Sequence, residues 1–217
     1  ARPEDWPGPG PIDLAQHDLP HRSSALEWWY LNAHLEVQDG RELSLFASFF
    51  RLVVDYNEQT QTATYAHSLT WGLIDPRARA YRSEGLIDRC APRVGRRRLD
   101  RGEEIRDERL RRALREVFQQ GRIPLPDLLC TRDGAASLER LDLEVEGNTL
   151  RKLADGSYRL ELADRPGQVG ARLTFHPEKP PARHGDAGVV RGALDEDMFY
   201  YFLSRCRVEG DVVVDGT

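Results

Sequence analysis

The sequence predicts an all-β fold of antiparallel strands, shaped as a barrel or a strongly bent sheet, with one amphipathic helix laid against it. Three observations carry that reading. Residues 26–54 read as two strands of a hairpin, and the two faces of a strand separate with period two through 63–74 and 141–146. Asp-Gly pairs stand beside hydrophobic runs at Asp39-Gly40, Asp155-Gly156 and Asp215-Gly216, a strong short-range hairpin signal. Only one stretch, about 101–120, has helical spacing, with Leu110, Leu114, Val117 and Phe118 at i, i+4, i+7 and i+8.

Taken in order, residues 1–25 are rich in Pro and Gly and predict an extended arm with no element of its own. Two strands then meet at Asp39-Gly40. A two-residue type I′ turn there places Gln38 opposite Arg41. That register puts Trp28, Tyr30, Asn32 and His34 opposite Arg51, Phe49, Ala47 and Leu45 on one face. Glu27, Trp29, Leu31, Ala33 and Leu35 take the other, opposite Leu52, Phe50, Ser48, Phe46 and Ser44. Side chains alternate strictly between faces, so a slip of one residue exchanges the two sets. The first face reads as a small-molecule pocket, because aromatic walls with a few convergent polar groups build such sites. The structural alternative is a plugged barrel end with Arg51 stacked on Trp28.

A third strand spans 63–74, with Tyr65, His67, Leu69, Trp71 and Leu73 on one face, and residues 81–87 suggest a short fourth. The run around Arg96-Arg97-Arg98 reads as a solvated loop. Asp100 and Glu103 resemble a capping box opening the helix, and Gly121 is placed to close it. Ile123-Pro124-Leu125-Pro126 forces an extended exit. Strands return at 141–146, 158–162 and 171–175, followed by a Pro/Gly/His-rich loop over 177–188. Met198-Phe199-Tyr200-Tyr201-Phe202 is aromatic on both faces, which predicts a strand buried on both sides. The last hairpin signal, Asp215-Gly216, has no return strand after it. Proteins avoid such unpaired edges, so the expectation is a fragment or one half of a split protein, completed by a second polypeptide or a missing segment.

Bulk properties narrow the function classes. A chain of 217 residues with net charge −5 suits one large all-β domain or one and a half smaller ones, and the acidity argues against a nucleic-acid partner. No stretch is apolar enough to span a bilayer. Cys90, Cys130 and Cys206 are far apart and odd in number, which predicts free thiols in a reducing compartment such as the cytoplasm. An N-terminus at Ala keeps a processed, secreted form open. There is no phosphate loop, nucleophile elbow or His-Glu-x-x-His helix. His21, His34, His67 and His184 share no ligand spacing, so no metal is expected. What remains is a set of acids and imidazoles near aromatic residues: Glu27, His34, His67, His184, Asp195, Glu196 and Asp197. Burial can move such groups into the range of useful proton donors. Each also has a structural explanation, Glu27 as the ion-pair partner of Arg22 or Arg51 and His34 as a core histidine.

Pro20-His21 and the run Leu26-Glu27-Trp28-Trp29-Tyr30-Leu31-Asn32-Ala33-His34-Leu35 resemble the signature of the carotenoid 1,2-hydratase (hydroxyneurosporene synthase) and AttH-like family. The segments His67 to Trp71, Met198-Phe199-Tyr200-Tyr201 and 208–216 extend the resemblance over nearly the whole chain. It implies two lipocalin-like β-domains in tandem, of which residues 26–217 would be the N-terminal one and the C-terminal one would be missing from this chain. It also implies cofactor-independent chemistry on an apolar polyene or isoprenoid. Water addition to a C=C bond is the first expectation, intramolecular cyclisation of Diels–Alder type the second, and a non-catalytic carrier the third. The expected catalytic residues are Glu27, His34 and His67, and the expected substrate-binding residues are Trp28, Tyr30, Asn32, Phe49, Arg51, Trp71 and Tyr200.

Overall fold

The computed structural model describes residues 3–102, 105–185, 187–191 and 197–216. The chain is mostly β and forms several antiparallel sheets; among the described residues none closes into a barrel. It divides into two compact units, one of residues 25–135 with 143–148, the other of residues 1–24, 136–142 and 149–217.

The first unit is a five-stranded sheet in the order β1 (Leu26–Glu36), β2 (Glu42–Asn57), β3 (Thr62–Asp75), β4 (Ala80–Ile87) and β5 (Leu128–Leu129), antiparallel except for the short β4–β5 pairing. The first hairpin corrects the predicted register. Gly40 N–H donates to Val37 O at 2.8 Å and Val37 N–H to Arg41 O at 3.0 Å, so the loop has three residues. Gly40 has φ 75° whereas Asp39 is absent from the positive-φ residues, and a type I′ turn needs both. The Asp39 carboxylate also accepts the Arg41 N–H at 3.0 Å, which favours the open three-residue form. The extra residue shifts the pairing by one. Glu27 now faces Arg51, Trp29 faces Phe49, Leu31 faces Ala47 and Ala33 faces Leu45, while Trp28, Tyr30, Asn32 and His34 face Phe50, Ser48, Phe46 and Ser44. The predicted row of Trp28, Tyr30, Asn32 and His34 with Arg51 and Phe49 is therefore divided between opposite faces. Asp155-Gly156 repeats the same three-residue loop, with Gly156 N–H on Leu153 O and Leu153 N–H on Ser157 O.

Continuing across β3 and β4, the Glu27 face collects Leu45, Ala47, Phe49, Leu69, Trp71, Leu73 and Leu86, all at most 3 % exposed. This is the core of the unit.

Two helices stand where one was predicted: α2 (Ala91–Asp100) and α3 (Glu108–Gln119). The arginine run read as a loop is part of α2, which Pro92 opens from its first turn. Gly95 lets the two helices touch, since a Cβ there would stand 2.6 Å from the Phe118 ring. Asp107, not Asp100, caps α3 by accepting from Arg109 and Leu110 N–H, and Glu103 lies outside the described residues. Gly121 closes α3 as expected. With φ 68°, and Arg122 N–H reaching Val117 O, it forms a Schellman turn.

The second unit contains α1 (Leu14–His17), a single turn within the predicted extended arm, capped by Asp13. The remaining strands are β6 (Ala135–Ala136), β7 (Asp142–Val145) and β8 (Asn148–Lys152), whose residues are divided between the two units, and, in the second unit, β9 (Tyr158–Ala163), β10 (Gly170–Pro177), β11 (Ala182–Arg183), β12 (Val189–Arg191), β13 (Asp197–Phe199), β14 (Tyr201–Phe202) and β15 (Cys206–Val213). β15, β10, β9 and β8 pair antiparallel, and Leu150, Leu160 and Leu173 align across them as its core. The aromatic segment predicted as one doubly buried strand is instead split into β13 and β14. Tyr200 lies between them, and each strand is half-buried and paired in its own two-stranded ribbon. Asp195 and Glu196 lie outside the described residues.

Asp18 fastens the N-terminal segment to this unit. Its buried carboxylate accepts from Lys152 Nζ at 2.7 Å and from the phenols of Tyr158 and Tyr201 at 2.5 Å each. Burial, then the Asp18 charge, push the Tyr158 phenol well above the ordinary tyrosine range, so it stays a donor. Replacing Asp18 by Ala leaves the Tyr158 phenol without this acceptor and Lys152 and Tyr201 with the carbonyls of Leu14 and His17. The expected cost is about 3 kcal/mol in urea denaturation, a figure typical of breaking a buried charged pair; a loss below measurement error would show that the arm is not held by this carboxylate.

Candidate functional site

The register places three ionisable side chains in line on adjacent strands of the first unit: Glu27 on β1, Arg51 on β2 and His67 on β3. An arginine and a glutamate facing each other on a core-facing surface must pair or pay a large desolvation cost. They do pair: Arg51 Nη1 donates to Glu27 Oε2 at 2.5 Å, with side-chain exposures of 3 % and 9 %. The Arg51 guanidinium also stacks on Tyr65, its Cζ 3.5 Å from the ring centroid. The stacking expected on Trp28 thus falls on Tyr65, because Trp28 is on the opposite face.

His67 completes the row. Its backbone N–H donates to the buried Asp88 carboxylate at 3.1 Å, fixing the strand at that point. Its two ring nitrogens are buried and neither has a hydrogen-bond partner among the described residues. Burial, the largest cause, lowers the imidazole pKa below 6.5; the Arg51 charge acts in the same sense, and Asp88 and Asp133 oppose it. The ring is therefore neutral at pH 7, offering one donor and one acceptor. Leaving a buried polar atom unmatched costs about 1–3 kcal/mol.

Gly134 packs closely against the His67 side chain. A Cβ on Gly134 would stand 2.5 Å from His67 Cβ and 3.1 Å from its Cγ, so no larger residue fits there without moving the imidazole. Residues 131–133 just before it are anchored by Thr131 on Glu146, Arg132 on Glu144 and a two-pronged Arg89–Asp133 pair. Further along the same face are Phe49, Leu69 and Trp71, and Trp71 Nε1–H is also buried without a partner among the described residues. Four residues of strand separate His67 from Trp71, about 13 Å. The face is thus a packed apolar surface with buried polar ring nitrogens at His67 and at Trp71.

Of the expected site residues, the structure brings together Glu27, His67, Phe49, Arg51 and Trp71. Trp28 and Tyr30 are half-buried on the opposite face; Asn32 and His34 are exposed there, His34 Nδ1 lying 3.1 Å from Ser44 Oγ. Tyr200 belongs to the second unit, edge-on to His184 at 5.0 Å. Tyr65, Asp88 and Gly134 were missed. Tyr65 was legible, since it shares the period-two face of His67. Asp88 and Gly134 act through tertiary contacts that carry no local signal. Burial, then Asp88, push the Cys90 thiol up to about 12, which disfavours its thiolate. Among the described residues no three His, Cys, Asp or Glu side chains are grouped to hold a metal, and no helix is long and apolar enough to cross a membrane.

The fold has solved counterparts. A candidate AttH of Nitrosomonas europaea superposes with TM-score 0.63 at 17% identity, covering 98% of this chain and 53% of its own. Kievitone hydratase from Nectria haematococca gives TM-score 0.56 at 11% identity, covering 95% of this chain and 46% of its own. The chain spans about half the length of each. No protein-family model and no curated protein matches it.

The ion pair can be tested apart from any activity. Arg51→Met alone takes the guanidinium from the buried Glu27 carboxylate and is expected to cost about 3–5 kcal/mol in urea denaturation, whereas Glu27→Leu with Arg51→Met should recover most of it. Losses that simply add would contradict direct coupling of the pair.

Proposed function

We propose that this chain carries the proton-transfer face of a hydratase, adding water without a cofactor to a carbon–carbon double bond of an apolar polyene or isoprenoid. The observation that carries the reading is the buried His67 ring, both nitrogens unmatched among the described residues, on the apolar face it shares with Phe49, Leu69 and Trp71. The likeness in fold to kievitone hydratase supports the reaction class.

Burial that disfavours the imidazolium makes it a stronger acid whenever it forms. Protonated His67 gives its proton to one alkene carbon; the π pair becomes the new C–H bond and positive charge settles on the neighbouring, more substituted carbon. The rings of Phe49 and Tyr65 stabilise that charge as aromatic faces do any cation. A water oxygen adds, and its proton returns to the now neutral imidazole. Substrate and water become an alcohol and His67 ends as it began. Glu27 and Arg51 are positioning residues that hold the row in register, and Trp71 Nε1–H anchors a polar terminus of the substrate. Trp28, Tyr30, Asn32, His34 and Tyr200 take no part in this step.

Because the imidazolium is the acid, kcat/KM is expected to fall about tenfold per pH unit above the His67 pKa and to level off below it. His67→Gln should lose at least about 100-fold. In deuterated water, product formed from a panel of prenylated phenols and acyclic isoprenoids should carry one solvent deuterium on carbon. Ligand returned unaltered would mean a carrier, an isomer of the substrate without added water would mean a cyclase, and full activity of His67→Gln would remove the imidazole from the reaction.

A further inference from the structure

Residues 91–122 hold eleven arginines against six Asp and Glu residues, an excess of five positive charges in a chain whose net charge is −5. The folded chain concentrates that charge on the α2–α3 pair. Arg93, Arg96, Arg106, Arg109 and Arg112 are exposed. Among the described residues, Asp107 caps α3, and Glu108, Asp100 and Asp55 of β2 pair with three other arginines of the helices, Arg111 at 2.6 Å, Arg115 at 3.4 Å and Arg97 at 3.1 Å, while Glu116 of α3 is exposed. The basic surface is also apolar in places. Leu110, at the open end of the α3 apolar stripe, is 51 % exposed, and Leu125, just past the helix, is 86 % exposed.

From this combination we infer that the α2–α3 pair docks on an anionic lipid bilayer. Basic residues interspersed with exposed leucines on a helical surface match a headgroup layer, where arginines meet phosphates and leucines enter the acyl boundary. A nucleic-acid surface would need exposed aromatic platforms or a basic domain. The only aromatic residue of the pair, Phe118, is half-buried and turned onto Gly95, and the chain as a whole is acidic. The inference is independent of the reaction proposed above.

The test is co-sedimentation of the intact chain with phosphatidylglycerol–phosphatidylcholine vesicles and with phosphatidylcholine alone. Binding is expected only to the anionic vesicles and should be released by high salt. Each arginine at the surface is worth about fivefold in partitioning, so Arg93→Gln, Arg96→Gln, Arg109→Gln and Arg112→Gln together should weaken binding by at least tenfold. Leu110→Ser should weaken vesicle binding while leaving retention on a heparin column unchanged. Circular dichroism identical to the parent excludes unfolding of these exposed-site variants. Equal binding to neutral vesicles, or undiminished binding of the fourfold variant, would overturn the inference. So would a duplex DNA or RNA oligonucleotide that binds more tightly than the vesicles, by marking the surface as one for nucleic acid.

Discussion

Everything at the candidate site depends on one pairing, Glu27 opposite Arg51 in the middle of a buried sheet face. It follows from a single extra residue in the loop at 38–40. With a two-residue loop, Arg51 would face Trp28, and Glu27 would lie across the sheet from its countercharge. An arginine at 3 % exposure without a carboxylate is untenable, so the loop and the ion pair select each other. Once the pair is set, the pairing of β2 with β3 brings His67 next to Arg51 and sends Trp71 down the same face.

The consequence is an imidazole with unusual surroundings. Arg51 is committed to Glu27 and Tyr65, Asp88 is committed to backbone N–H groups, and Gly134 packs closely against the side chain. None of these groups gives His67 a side-chain hydrogen bond. A core selected only for stability would fill such a position with Leu or Val. An imidazole there costs stability that an apolar side chain would not.

Much of this was legible in the sequence. The period-two pattern revealed β1 to β4, and the density of Glu27, Trp28, Trp29 and Tyr30 marked the right hairpin. What it could not resolve was the face. Asp-Gly is compatible with both a type I′ turn and a type I turn followed by a left-handed glycine, and the choice between them reverses every side chain. The same ambiguity recurs at Asp155-Gly156. The helix α2 misled for another reason: its few apolar residues, Val94 and Leu99, leave almost no periodic signal, and its support comes from tertiary contacts such as Phe118 on Gly95 and Arg97 on Asp55. The fastening of the arm by Asp18 depends on residues more than 130 positions away, beyond the reach of any local pattern.

The account rests on His67 being neutral and unbonded by its neighbours, and the most direct measurement is a nitrogen-15 NMR titration of that ring in the intact protein. The account requires a pKa below 6.5, with ring shifts at pH 7 typical of a neutral imidazole and no strong coupling to a carboxylate. A pKa at or above 6.5, or a ring protonated at pH 7, would contradict it.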